Sequence, residues 1–152
     1  MSSIITTVAE AVASELNAAA EGTFGLEFTA QRVYLPEKDL PELVDLSVCV
    51  VPKGIETAMA GRNMIQHDVS IDIGVRKKLS ASTAAGSDHV ELDGLSELVE
   101  QIAGYLRLRP LAGVALARWI GSSVNPIYAV EHLRELRQFT SVLTVIYRVM
   151  ES

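Results

Sequence analysis

The residues of this chain best suited to catalysis or metal binding are its histidines, which are scattered along the sequence: His67, His89 and His132. None has a second metal-type ligand at helical or hairpin spacing. In the stretch HDVS, an extended chain directs His67 to the face opposite Asp68 and Ser70, so these side chains do not form a proton relay. We therefore expect a histidine at the start of a strand and no catalytic triad.

Acidic and glycine-containing stretches of the chain match none of the common patterns for binding ions or phosphates. Asp68, Ser70 and Asp72 share one face of an extended chain, but they lack the spacing and the bidentate glutamate of an EF-hand, and a polar solvent-facing surface is the favoured interpretation. The glycines of PKGIETAMAGRN match neither the P-loop nor the dinucleotide fingerprint. The sequence thus predicts a protein that is not an enzyme and that has no catalytic residues, no metal and no cofactor.

Composition favours a single domain spanning residues 1–152. Hydrophobic residues make up 49% of the chain, and a domain of this length buries roughly 70% of its unfolded surface. The only cysteine, Cys49, has no partner within the chain, which excludes a disulfide-stapled secreted fold. Glu10 and Glu15 argue against a signal peptide, and no apolar run reaches the ~20 residues of a membrane span. The formal net charge of -6 disfavours a surface that binds phosphate backbones throughout.

Hydrophobic periodicity predicts two amphipathic helices. Residues 3–20 carry apolar side chains at helical spacing and are followed by Gly22. A second helix is expected to start at Asp93, which is placed to cap its N-terminus, and Pro110 prevents its continuation. Its apolar stripe consists of Leu95, Leu98, Val99, Ile102 and Leu106. Residues 125–136, NPIYAVEHLREL, fit either a short helix or an ordered loop.

Alternating apolar and polar residues predict about five strands. They are expected at residues 24–35 with a bulge, at 44–52 closed by Pro52, at 67–77, at 113–121 and at 138–150. The order of elements predicts an α+β fold in which two amphipathic helices pack on one face of a mostly antiparallel sheet. Residues 79–90 are small and polar, and we expect them to form a flexible linker.

The last strand, QFTSVLTVIYRVM, carries apolar residues on both faces. One face, which includes Leu143 and Val145, is expected to pack under the helices, whereas Val142, Ile146 and Met150 point the other way. The sequence contains no third helix of comparable strength to cover this second face. We therefore expect a partner subunit or a second layer to cover it.

Residues 52–65 connect two strands, and their length predicts a hairpin with an extended arm instead of a tight turn. The methionines and basic residues of this arm give it the mixed character of a segment that contacts a neighbour, and a loop that orders only on assembly is an equal alternative. Trp119, beside Arg118, fits either an interface or the core. The candidate subunit or partner interface consists of Lys53, Met59, Arg62, Met64, Trp119, Val142, Ile146 and Met150.

Several stretches, in this order of elements, resemble the tail terminator proteins of long-tailed bacteriophages, which close the head-proximal end of the tail tube. They are RVYLPEKDLPEL leading into VDLSVCVVPKG, then GRNMIQHDVSIDIGVRKK, LSELVEQIAGYL and EHLRELRQFTSVLTVIYRV. The resemblance covers most of the chain and rests on residue types and their order, not on a catalytic signature.

This resemblance implies a homo-hexameric ring in the neck of a virion, assembled in the host cytoplasm. Such a ring stacks on the last ring of tail tube protein, halts its polymerisation and presents a surface to the head-tail connector or stopper protein. DNA would pass through the lumen without sequence-specific contact, which agrees with the acidic balance of the chain. A closed ring also covers an exposed sheet surface or edge of one subunit with the next subunit, and no membrane partner is implied.

Two other functions stay open at this point. Another neck component, such as a head-completion, stopper or connector subunit, would share the size, acidity and ring formation, and would bind portal complexes instead of tail tubes. A small enzyme or ligand-binding domain would be a monomer or dimer with a deep pocket, which the sequence does not indicate.

Overall fold

Alternation of apolar and polar side chains builds one five-stranded sheet, with the strand order β1-β2-β3-β5-β4. The computed structural model describes residues 3–34, 46–79, 87–114, 116–125 and 127–151. Only β1 and β2 pair in parallel, and the other neighbours are antiparallel. The strands are β1 Ala30–Arg32, β2 Ser47–Gly61, β3 Met64–Lys78, β4 Ala117–Val124 and β5 Gln138–Glu151.

Within these described ranges, three helices accompany the sheet: α1 Ile4–Asn17, α2 Ser87–Leu106 and α3 Val130–Leu136. The hydroxyl of Ser3 caps α1 by accepting a hydrogen bond from the backbone N–H of Thr6 at 3.2 Å. Helix α1 contacts β1, β2 and β3, while α2 contacts β5. The apolar faces of both helices belong to the same core, so the predicted α+β class, with two amphipathic helices on one face of a mostly antiparallel sheet, is confirmed. Of the stretch 125–136, where the sequence left a short helix and an ordered loop open, only Val130–Leu136 forms a helix; Ile127, Tyr128 and Ala129 precede it as non-helical chain, and residue 126 lies outside the described residues.

The core lies between the two long helices and the central strands β3 and β5. Alternate residues from Val69 to Val75 on β3 and from Phe139 to Tyr147 on β5 point inward and meet the predicted stripe of α2. The apolar side chains among them are at most 1% exposed. The predicted inward faces of both strands are therefore confirmed. The central members are Val69, Ile71, Ile73, Val75, Leu95, Leu98, Val99, Ile102, Leu106, Phe139, Leu143, Val145 and Tyr147.

Pro52 does not end its strand, contrary to the sequence prediction. Strand β2 continues through Pro52 to Gly61, and a register shift follows between Pro52 and Gly54. The pairing of β1 with β2 reaches only Arg32 opposite Val50. Beyond that point β2 is an edge strand among the described residues, and an edge tolerates a residue that lacks a backbone N–H.

Three other predicted boundaries also moved. Over residues 24–34, the described part of the strand expected at 24–35, only Ala30–Arg32 is a strand, and it pairs in parallel with one end of β2. Strand β4 starts at Ala117 and not at residue 113. Helix α2 starts at Ser87, so Asp93 lies within the helix and does not cap it, and the predicted linker at 79–90 overlaps its first turn. Residues 80–86 of that linker lie outside the described part of the chain.

Asn17, at the end of α1, attaches the short strand β1 to the helix. Its amide donates to the carbonyl of Ala30 at 2.9 Å, and its side-chain oxygen accepts from the N–H of Ala30 at 2.8 Å. Ala30 is 4% exposed, so its backbone groups have little access to water. The side chain of Asn17 therefore takes the place of a neighbouring strand at the outer side of β1.

We expect Asn17→Ala to lower the free energy of unfolding by about 1 to 2 kcal/mol, because it leaves two poorly hydrated backbone groups of Ala30 without these partners. Urea denaturation followed by circular dichroism measures the change. Asn125→Ala, an exposed site at the end of β4, serves as the control. Equal unfolding midpoints for the two variants would contradict this role of Asn17.

Candidate assembly surfaces

The far half of the β2–β3 hairpin projects beyond the helices and exposes apolar side chains. Its helix-facing side carries Ile55, Met59 and Ile65, because Ile55 pairs with the inward Val69 and Met59 pairs with Ile65. These three side chains are 41%, 85% and 42% exposed. Since the core of the described chain does not cover them, this side of the hairpin is an unpartnered apolar surface, which we call the hairpin face.

The hairpin closes with a tight turn, and the long loop expected between the strands is absent. Gly61 pairs with Met64, so only Arg62 and Asn63 lie between the strands. Asn63 has a φ of 62°, a left-handed conformation that asparagine adopts more readily than most residues. The predicted arm at 52–65 thus exists, but as two paired strands. Arg62 at the tip and Met64, 41% exposed, extend the accessible surface.

A hydrogen-bonded cluster fixes the base of the hairpin to the end of β5. The Nδ1 atom of His67 lies 2.9 Å from the hydroxyl of Thr57 on β2, and its Nε2 atom lies 2.7 Å from a carboxylate oxygen of Glu151 on β5. One imidazole therefore bridges the neighbours of β3 on both sides. This contact is structural, and Asp68 lies on the opposite face of β3, as the sequence predicted.

The sheet side opposite the helices, the outer face, holds the second apolar set of the last strand. Val142, Ile146 and Met150 are each half-buried there within the single chain. Val142 lies opposite Gly74 and Ile146 lies beside Gly121, so their neighbours add little bulk. The three residues are separated along β5 by threonine and arginine, which makes the outer face mixed in polarity.

Ionic and hydroxyl contacts organise the rest of the outer face. Arg148 donates from Nε and Nη2 to the two carboxylate oxygens of Asp68, at 2.8 and 3.1 Å. The hydroxyl of Thr144 donates to Asp72 at 2.7 Å, and Lys53 lies 3.8 Å from the same carboxylate. The bidentate hydrogen bonds from Arg148 hold the pKa of Asp68 below its usual value, and Asp68 in turn raises the pKa of Arg148.

Trp119 lies apart from the other candidate interface residues. It pairs with Tyr147 across β4 and β5 and packs partly against the core, on the helix side of the sheet. Tyr147 is buried, and that burial raises the pKa of its hydroxyl. Trp119 and Arg118 line a shallow cavity of about 210 Å³ with Leu108, Arg109, Pro110 and Ala117. A cavity of this size is small for a ligand pocket, which typically measures about 300 to 1,000 Å³.

The structure divides the predicted interface residues among separate places. Met59, Arg62 and Met64 meet at the end of the hairpin, with Lys53 nearer its base. Val142, Ile146 and Met150 lie on the outer face, and Trp119 lies on the helix side of β4. Ile55 and Ile65 lie within the predicted arm, but they were absent from the predicted interface residues, which included its methionines and basic residues; both are exposed in the structure.

Within the described residues, no group of three or more histidine, cysteine, aspartate or glutamate side chains is arranged to hold a metal ion. In the same residues, none of the helices has the length and apolar character needed to cross a bilayer. Cys49 is a buried free thiol.

Comparison with known proteins gives a likeness of fold. No protein-family model matches the chain, and no curated protein matches it. Among solved structures, the chain is similar to one in the virion of a native gene transfer agent particle. The two have 13% sequence identity and a TM-score of 0.56, and the similarity covers 98% of each chain.

The lowered pKa of Asp68 makes a pH-dependent contribution to stability. When the pKa of a carboxylate is lower in the folded than in the unfolded protein, its ionised form stabilises the fold. This stabilisation is fully present at pH values above the unfolded pKa, about 3.9 for aspartate, and it is lost as the pH falls through the folded pKa. We expect Asp68→Asn to lower the urea midpoint at neutral pH, with the difference from the parent vanishing in strong acid.

Asp93→Asn on the exposed side of α2 is the matched control for this variant, since it removes the same charge. Parallel urea titrations at several pH values measure both. A deficit for Asp68→Asn that persisted unchanged in strong acid would show that its contribution is not electrostatic.

Proposed function

We propose that this chain is a structural protein of a phage-like virion, and specifically a tail terminator, whose ring closes the head-proximal end of the tail tube. The observation that carries the proposal is the hairpin face, an apolar surface held out beyond the core of a small α+β domain. The fold, which is similar over nearly the whole chain to a protein of a gene transfer agent virion, supports the virion role. The resemblance of the sequence to tail terminators supports the specific role.

The hairpin face suits a contact with another protein copy. Apolar side chains on a rigid pair of strands bury surface on binding without the loss of conformational entropy that ordering a loop would require. Met59 is the most exposed of these side chains, and its flexible thioether adapts to an irregular partner surface. In the proposed ring, the hairpin of one subunit packs on the next subunit or on the last ring of the tube.

The proposed mechanism is steric capping and involves no catalysis. The ring ends polymerisation if the surface facing away from the tube differs from the surface of a tube ring, because a further tube ring then has no complementary surface to bind. That far side is proposed to meet the head-tail connector or stopper protein. DNA would cross the lumen, and the net charge of -6 agrees with a conduit that does not retain it.

The capping role is tested by adding the purified protein to polymerising tail tube protein and measuring tube lengths by negative-stain microscopy. We expect shorter tubes with a ring at one end, and tube growth that halts at a stoichiometric amount of the protein. Tubes of unchanged length, combined with binding to portal complexes, would instead assign the chain to another neck component.

Met59→Asp is expected to abolish assembly while changing the free energy of unfolding by less than about 0.5 kcal/mol, because an exposed residue contributes little to the fold. Light scattering and microscopy measure ring formation and binding to tubes. Val90→Asp introduces the same charge at a site on α2 that is 74% exposed, and it should assemble normally.

Assembly of Met59→Asp to the same extent as the parent would contradict a role for the hairpin face. Val142→Asp and Ile146→Asp test the outer face in the same assay. Their half-buried positions require that folding be checked first by circular dichroism.

A further inference from the structure

Four charged residues form one straight row across the outer face. Glu56 on β2 lies opposite Asp68 on β3, Asp68 lies opposite Arg148 on β5, and Arg148 lies opposite Arg118 on β4. The row therefore reads negative, negative, positive, positive from one side of the sheet to the other. Like charges directly opposite each other on neighbouring strands are unfavourable, so the arrangement needs an explanation.

Asp68 and Arg148, the two inner charges of the row, neutralise each other, whereas the two outer charges, Glu56 and Arg118, do not. Asp68 and Arg148 form the bidentate pair described above. Glu56 and Arg118 are both exposed, and neither makes an ion pair within the described part of the chain. They are separated by three strand spacings, about 14 Å at ~4.8 Å each, so they cannot pair within one sheet.

The two outer charges sit on the two free edges of the sheet. Among the described residues, β4 pairs only with β5. On the other side of β2, strand β1 ends at Arg32, which lies opposite Val50, and the N–H of Val33 donates to the carbonyl of Val50. Within the described residues, no strand pairs with the edge of β2 next to Glu56 or with the edge of β4 next to Arg118. Open strand edges carry unpaired backbone groups that can add a further strand.

We propose that the β2 edge of one copy of this chain pairs with the β4 edge of a second copy, bringing Glu56 against Arg118 of the neighbour. This contact rests on the proposed ring and specifies how its subunits meet. Strands β2 and β4 run in opposite directions, because three antiparallel steps separate them. Side-by-side placement of two copies therefore continues the antiparallel alternation of the sheet.

Charge favours the head-to-tail contact over the symmetric alternatives. A two-fold contact between β2 edges that is centred near Glu56 places Glu56 near Glu56, and one between β4 edges that is centred near Arg118 places Arg118 near Arg118. Only the head-to-tail contact joins opposite charges, and such a contact, repeated by rotation, closes into a ring. The row of charges then continues from one subunit into the next with each outer charge paired.

A double-cysteine variant, Glu56→Cys with Arg118→Cys, tests the contact. An intramolecular disulfide is impossible, since bridged Cα atoms lie within about 7 Å and these two positions are about 14 Å apart. After mild oxidation we expect a covalent ladder on non-reducing gels that ends at a fixed number of copies. The single-cysteine variants and the parent, which retains only the buried Cys49, should give no ladder.

Charge reversal supplies a second readout that needs no oxidation. Arg118→Glu or Glu56→Arg should each weaken self-association about tenfold at low salt, and the double reversal should restore it. Glu97→Arg and Arg134→Glu, on exposed helix positions, make the same changes in net charge and should have little effect. Sedimentation velocity over a range of concentrations measures all five chains.

Each outcome of these two experiments decides the proposal. A ladder together with rescue by the double reversal establishes the contact. Rings that form without cross-links overturn this contact and leave the tail terminator proposal in place. Cross-linked dimers without longer products overturn the head-to-tail arrangement. A monomer at every concentration, with no ladder, overturns self-association through these edges, and the tube-length assay then decides the capping function separately.

Discussion

The structure depends on one uninterrupted pairing, that of β3 with β5. It runs from Ile65 opposite Glu151 to Lys78 opposite Gln138 without a register shift. Because side chains alternate with a period of two, this register alone decides which residues face the helices and which face away. A slip by one residue would move Leu143 and Val145 out of the core and place Arg148 in it. The same register brings Asp68 opposite Arg148, 80 residues away in sequence.

The sheet extends further than the helices that cover it, and this mismatch creates the hairpin face. Near Val69 and Ile73 the inward side chains are buried under the helices, whereas Ile55, Met59 and Ile65 continue the same apolar side and are left exposed by the described part of the chain. Backbone pairing between β2 and β3, and the bridge through His67, hold this part of the hairpin in shape. The hairpin face therefore has its shape before a partner binds, and this reduces the conformational entropy lost on association.

Local periodicity was sufficient to predict the class of fold, the inward faces of β3 and β5 and the apolar stripe of α2. Each of these follows from side-chain spacing within one element. The wrong predictions include a strand end at Pro52, which the sequence favours because nothing in it marks β2 as an edge. They also include a cap at Asp93, which suits the local pattern, although α2 already starts at Ser87. The row from Glu56 to Arg118 requires three strand registers, which no single segment encodes.

The inner and outer charges of the row differ in burial. Asp68 and Arg148 are partly shielded and joined by two hydrogen bonds, so their pair contributes to the stability of the single chain. Glu56 and Arg118 lie at exposed edges, where a single ion pair contributes little. In a closed ring, however, every subunit makes the contact twice, once through each edge, and closure makes the last contact intramolecular. Individually weak edge contacts thus suit an assembly that is reversible while incomplete and stable once it is closed.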